Sequence, residues 1–230
     1  MIGELLPESV VAVEVYGDDE AGQTPLYPEE EAVVARAVDK RRREFATVRT
    51  CARRAMEKLG VPPQPVLPDQ RGAPRWPKGL LGSMTHCDGY RAAALARATD
   101  LASVGIDAEP HGPLPAGVLH SVSLPAERAR LALLAARHPT VHWDRLLFSA
   151  KESVYKAWFP LTGKWLDFEE ADIEIRPDPE TAAHGRFRAG LLVPGPLVGD
   201  RRLGHFQGRW TVRQGLVATA IAVPPPSDPS

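Results

Sequence analysis

Hydrophobic positions along the chain change their period several times, and each change marks an element. Residues 10–16 are rich in β-branched side chains and read as a strand. Pro28 with Glu29, Glu30 and Glu31 is a good helix start, and Gly60 a good stop. Between them Val34, Val38, Phe45, Val48, Ala52, Ala55 and Leu59 recur at helical spacing, which predicts an apolar stripe along a helical stretch with room for a break inside it. Residues 61–77 hold six prolines and Gly72, and so predict an extended loop. Strand patterns follow at 80–85, 91–97 and 101–107, separated by Asp88-Gly89 and Thr99-Asp100, which suggests a three-stranded antiparallel meander. Residues 111–117 form a second Pro/Gly-rich linker, read as the boundary between two halves.

In the second half Ser123 is placed to cap a helix running to Arg137, with Pro125 tolerated in its first turn. A further helix is expected over 141–159, stopped by Pro160. Strands are expected near 171–176, 186–193, 205–213 and 216–223, the last two joined by a Gln214-Gly215 turn. Helical material followed by strands, twice over, predicts an α+β fold. The expected division is an N-terminal half over 1–112, a C-terminal half over 113–223 and a disordered Pro-rich tail over 224–230.

Composition narrows the class. A hydrophobic content of 43% with 25% charged residues is ordinary for a globular protein and excludes wholesale disorder. The longest nearly apolar run, 216–223, is too short to span a membrane. The first base is Arg36, which does not suit a secretory signal. Cys51 and Cys87 offer neither a disulfide framework nor metal-ligand spacing, and read as packing residues. The expectation is a cytoplasmic protein with no membrane partner.

Charge is unevenly spread. Residues 1–31 hold nine acids and no base, whereas residues 36–54 hold eight bases against only Asp39 and Glu44. Of the 28 basic residues 22 are arginine, whose planar fork suits phosphate. The basic segment reads as a surface facing a polyanion; a solvated helix face is the bland alternative.

Three segments carry candidate chemistry. Gly105-Ile-Asp107-Ala-Glu109 ends a β-run with two acids aimed at the same side, an arrangement that suits a hard divalent cation. In Phe148-Ser-Ala-Lys151-Glu152-Ser-Val-Tyr155-Lys156, Glu152 and Lys156 lie one helical turn apart. A third carboxylate beside a lysine is what metal-assisted phosphate chemistry needs, and Lys151 either contacts a phosphate or stays solvated. Gly82-Ser-Met-Thr85-His86-Cys-Asp-Gly89 runs a strand into a turn, with His86 placed to donate to a pyrophosphate. His138 and His142 lack the glutamate of a zinc-protease helix and read as surface or capping residues. No Walker-A loop, GxGxxG, CxxC pair or GxSxG elbow occurs.

Together, and in this order, these segments resemble the Sfp-type 4′-phosphopantetheinyl transferases. That family's hallmark is a G-[IV]-D-x-E strand end followed about forty residues later by a [FW]-x-x-K-E-[AS]-x-x-K helix, matched here by 105–109 and 148–156. Gly72-Ala-Pro-Arg-Trp76-Pro matches too. Residues 40–49, 85–87 and 151–158 are especially similar to the actinobacterial PptT-like subgroup, and the resemblance spans roughly residues 24–223. Pro68 departs from that subgroup, where a lysine lies near the nucleotide phosphate; Arg71 is the substitute.

The resemblance implies two similar α+β halves in a pseudo-twofold arrangement, with coenzyme A between them. It implies an enzyme and its reaction: the phosphopantetheine arm moves from coenzyme A to a serine of an apo acyl or peptidyl carrier protein, releasing 3′,5′-ADP. Asp107, Glu109 and Glu152 would hold Mg²⁺, with Mn²⁺ an alternative. Glu152, or a water it orients, would take the serine proton, while Lys156 and His86 stabilise phosphate charge and Thr85 joins the cofactor contacts. Arg41, Arg49 and Arg71 would hold the 3′-phosphate. Tyr155 and Trp165 are expected near the pantetheine channel. A monomer is expected, since the short-form synthases that share the DxE chemistry assemble from protomers of half this length. A nucleic-acid-binding module built on 36–54 leaves both acidic motifs unexplained, and all the acids that an inactive relative would lack are present.

Overall fold

The computed structural model describes residues 1–17 and 25–226. After a 3-10 turn at Ile2–Leu5 come β1 (Val11–Tyr16), α1 (Pro28–Val34), α2 (Asp39–Lys58), β2 (Leu80–Cys87), β3 (Tyr90–Arg97) and β4 (Ser103–Pro110). The second half continues with α3 (Val118–Val122), α4 (Pro125–Arg137), α5 (Trp143–Thr162), β5 (Ala171–Pro177) and β6 (His184–Leu191). Short strands β7 (Leu197–Val198) and β8 (Arg201–Arg202) precede the closing hairpin of β9 (His205–Arg213) and β10 (Leu216–Val223). Its turn has positive φ at both Gln214 (54°) and Gly215 (74°), as a tight two-residue hairpin requires. The α+β class expected from the sequence is the observed one. Of the expected tail, 224–226 is exposed and without regular structure, and 227–230 lie outside the described residues.

The meander is corrected. β2 and β3 pair, with β1 on the far side of β3, but β4 leaves for a five-stranded sheet ordered β4-β10-β9-β6-β5. There it runs antiparallel to β10, with Asp107 opposite Thr219. β2 and β4 are instead stitched by hydroxyls. Ser83 Oγ accepts the Ile106 N–H at 3.1 Å, and Thr85 Oγ1 accepts the Ala108 N–H at 3.1 Å. Helix α5 holds β4 in place because Gly105 has no side chain: a Cβ there would sit 2.1 Å from the Ser153 carbonyl and 2.7 Å from the Ala157 nitrogen. Apolar cores lie between α5 and the five-stranded sheet, between the two sheets, and beneath α2.

The helical stretch expected from Pro28 breaks at 35–38, and Val38, counted in its apolar stripe, is 74% exposed at the start of α2. The break lets α1 fold back so that the buried Glu30 reaches Arg53 of α2 at 2.7 Å. Glu30 also accepts the N–H groups of Tyr27 (3.1 Å) and Val66 (2.8 Å). The same device recurs in the second half. Glu127 accepts the N–H groups of Leu124 and Ile173, both at 2.7 Å, and pairs with Lys151 of α5 at 2.9 Å.

Ser123 therefore does not cap α4: its hydroxyl donates back to the Leu119 carbonyl, and Glu127 closes the helix start. Nor does Pro160 stop α5. It sits in the last turn, and the helix ends at Gly163, whose φ of 61° suits a glycine and whose N–H reaches the Phe159 carbonyl at 2.8 Å.

Candidate active site

A cavity of about 1000 Å³ opens between α2, the Pro-rich loop, β2 and α5. Six of the nine expected site residues line it: Arg41, Arg49, Arg71, His86, Glu152 and Lys156. Thr85, Asp107 and Glu109 do not lie on its wall. They stand behind it, joined to it by Lys156, whose Nζ donates to Asp107 Oδ1 at 2.8 Å. Thr85 Oγ1 donates to that same oxygen at 3.4 Å.

One wall of the cavity is basic. Arg41 Nη1 donates to His86 Nε2 at 2.6 Å. Burial and this guanidinium hold the His86 imidazole below its ordinary pKa, so it is neutral, with its proton on Nδ1. Arg49 lies 3.3 Å over the Phe45 ring and donates to the Val66 carbonyl. Its burial lowers its pKa to about 10, which still leaves it charged at neutral pH. Arg71 crosses from the Pro-rich loop to the end of α5, donating to the Gly163 carbonyl at 2.7 Å. Glu44 sits among these bases, 3.6 Å from His86 and 4.0 Å from Arg41.

The opposite end is acidic. Asp107 is 4% exposed, and its Oδ2 is buried with no hydrogen-bond partner. Glu152 accepts no hydrogen bond among the described residues, whereas Glu109 Oε2 takes one from Arg145 at 3.0 Å. Burial first, then the charge of Asp107, raises the pKa of both glutamates. Among the described residues no three carboxylate, imidazole or thiol groups are already gathered into a metal cage. The donors nonetheless fit a hard cation: the charge of Asp107 bears on both Glu109 and Glu152, and its own Oδ2 is buried without a partner.

Sequence reasoning misplaced Lys151. Its ammonium is buried against Glu127 and donates to the Ala171 carbonyl at 2.7 Å, far from any phosphate role. It also overlooked Arg145, which stands seven residues before Glu152 and so shares its helix face, the one signal available for it. Of the two aromatics expected near a pantetheine channel, Tyr155 lines the cavity, and Trp165 does not; it packs on Tyr155 with ring centroids 5.0 Å apart and is 65% exposed. Cys51 is fully buried, and burial raises its thiol to about 11 and that of Cys87 to about 12, in keeping with packing roles. His138 and His142 flank the ends of α4 and α5.

Comparison with known proteins agrees with this geometry. Residues 29–96 match the 4′-phosphopantetheinyl transferase N-terminal domain, and residues 103–211 match the 4′-phosphopantetheinyl transferase superfamily. The 4′-phosphopantetheinyl transferase Svp of Streptomyces mobaraensis is 62% identical over 99% of this chain and 91% of its own. The chain belongs to the 4′-phosphopantetheinyl transferase superfamily. PptT of Mycobacterium tuberculosis is 49% identical, covering 97% of this transferase and 98% of its own length. Npt of Nocardia iowensis is also 49% identical, over 96% and 99%. The transferase is thus an enzyme that moves 4′-phosphopantetheine to carrier proteins, and the resemblance read from the motifs, PptT-like subgroup included, is borne out. No helix among the described residues is long and apolar enough to cross a membrane.

Proposed function

We propose that the transferase binds coenzyme A in the cavity between α2 and α5, with its nucleotide on the arginine wall and its pyrophosphate at Lys156. The observation that carries this reading is the Lys156–Asp107 contact at 2.8 Å, which joins a basic cavity to a buried carboxylate with one oxygen unpartnered. Arg41, Arg49 and Arg71 hold the 3′-phosphate. Arg71 stands in for the base absent at Pro68, which lines the same cavity. His86 presents Nδ1–H to the pyrophosphate, since Arg41 occupies its other nitrogen. Thr85 acts indirectly, by orienting Asp107.

In the reaction the serine hydroxyl oxygen of the carrier bonds to the phosphorus that bears pantetheine. The bond from that phosphorus to the ADP oxygen breaks, and 3′,5′-ADP leaves. The serine proton passes to Glu152 or to a water it orients; a carboxylate made more basic by burial is suited to this. Lys156 offsets the charge that develops on the leaving phosphate. A divalent cation, Mg²⁺ or Mn²⁺, held by Asp107, Glu109 and Glu152 would supply Lewis-acid charge at the pyrophosphate oxygens. The acceptor is an apo acyl or peptidyl carrier protein, and the enzyme works as a cytoplasmic monomer.

The test is the intact mass of an apo carrier protein incubated with the transferase, coenzyme A and Mg²⁺. A gain of one phosphopantetheine arm, lost with EDTA and lost in Asp107→Ala and Glu152→Ala, is expected. Undiminished turnover in either variant would overturn the assigned roles.

A further inference from the structure

A second cavity, of about 820 Å³, opens on the other side of the C-terminal half and shares no lining residue with the first. Its floor is the face of the five-stranded sheet turned away from α5. Along β6 and β9 the side chains alternate: Phe187 and Trp210 enter the core beneath α5, while Arg186 and Arg209 stand on the opposite, solvent face.

The register lines up three arginines in one cross-strand row. Arg176 of β5 is directly opposite Arg186 of β6, which is directly opposite Arg209 of β9. At sheet spacing their Cα atoms fall within roughly 10 Å. Like charges in directly opposed positions destabilise a sheet. The carboxylates around the groove are already engaged. Glu174 pairs with Arg176 at 3.2 Å and Glu4 with Arg213 at 3.0 Å. Asp178 accepts the Glu180 N–H at 2.9 Å and lies 3.7 Å from His184. Arg186 and Arg209 have no carboxylate partner among the described residues. Arg188, the next outward-facing residue of β6, is exposed outside the groove and lies directly opposite Glu174.

We propose that this groove docks an acidic segment of a partner protein, laid across the strands with carboxylates on Arg186 and Arg209. Charge complementarity sets the sign of the partner, and the forked guanidinium groups match carboxylates two at a time. A protein segment fits better than single-stranded nucleic acid. The groove has no row of stacking rings: Trp210 borders it but is fully buried, and among the described lining residues the His184 imidazole is the only exposed ring, already beside Asp178. Leu5, Pro177 and Val212 give the groove apolar edges that a peptide chain can cover. The surface is independent of the reaction assigned to the first cavity, so recruitment here and catalysis there can fail separately.

The probe is a fluorescein-labelled peptide of consecutive glutamates, followed by anisotropy at low and near-physiological salt. Arg186→Glu/Arg209→Glu is compared with Lys78→Glu/Arg137→Glu, which makes the same change of net charge at exposed positions outside both cavities. The groove variant is expected to weaken peptide binding by at least about 10-fold and the control by less than about 2-fold. Coenzyme A affinity, unchanged in both, checks that the fold is intact. Equal weakening in the two variants would reduce the effect to net charge and overturn the proposal, as would no weakening in the groove variant. An oligonucleotide of matched charge that bound the groove as tightly as the peptide would overturn the choice of partner.

Discussion

Lys151 and Glu127 meet at 2.9 Å with both side chains almost wholly out of solvent. The lysine stands one position before Glu152 on α5, yet it serves the fold and not the cavity. Removing one member of such a pair leaves a buried charge uncompensated. Lys151→Met is expected to cost about 3–5 kcal/mol in urea unfolding. Glu127→Gln/Lys151→Met should recover much of that loss, because neither buried charge remains. A Lys151→Met protein as stable as the parent, but weak in coenzyme A binding, would return the lysine to the active site.

Arg145 fastens the exit of β4 to the first turn of α5. One guanidinium donates to Glu109 (3.0 Å), to the Gly112 carbonyl (3.1 Å) and to the Pro113 carbonyl (2.8 Å). A lysine ammonium cannot span three acceptors in that plane. Arg145→Ala is expected to lower kcat by about 10–100-fold with little change in KM for coenzyme A, and Arg145→Lys to recover only part. Steady-state kinetics separate the two constants. A change confined to KM would show that Arg145 acts on nucleotide binding instead.

His86 should titrate below its ordinary pKa of 6.5, owing first to burial and then to Arg41. Removing a neighbouring positive charge favours the imidazolium, so Arg41→Met is expected to move the midpoint upward. It should stop short of the ordinary value, because burial persists. An NMR titration of the imidazole protons in both proteins measures this. A midpoint that stayed put would mean that the Arg41 contact has no electrostatic weight.

Glu152 holds its proton more tightly in the folded chain than in the unfolded one, through burial and the charge of Asp107. The folded state therefore binds more protons between the ordinary glutamate range and the raised value, and stability falls as pH rises through that window. Glu152→Gln removes the loss. Without metal, its melting temperature should exceed the parent's at pH 7, and the gap should narrow toward pH 4, where the parent's carboxyl is mostly protonated in both states. Thermal melts at the two pH values decide it; a gap of the same size at both would tie the effect to packing and not to charge.

Much of the site was legible because its chemistry is carried by residues close together in the chain. The spacing of Asp107 and Glu109 on a strand end follows from a period of two, and that of Glu152 and Lys156 from a helical turn. The 171–177 and 205–223 strands were legible for the same reason: alternation and a tight turn are local properties. Lys151 was not, since nothing local distinguishes a lysine that reaches a phosphate from one that reaches Glu127, 24 residues earlier.

By itself the sequence determined the element types, the α+β class, the order of the candidate motifs and the arginine-rich segment before them, all of which depend on neighbours within a few residues. Only the tertiary structure decided which strand β4 joins, where the helix after Pro28 breaks, and which acids are bridged to which bases. Those outcomes turn on long-range contacts: Gly105 admitting α5, Glu30 and Glu127 needing buried cationic partners, Asp107 meeting Lys156. Strand partners and buried charges are chosen by the free energy of the whole packed chain, in which a hydroxyl ladder between β2 and β4 substitutes for the backbone pairing that local pattern alone would predict.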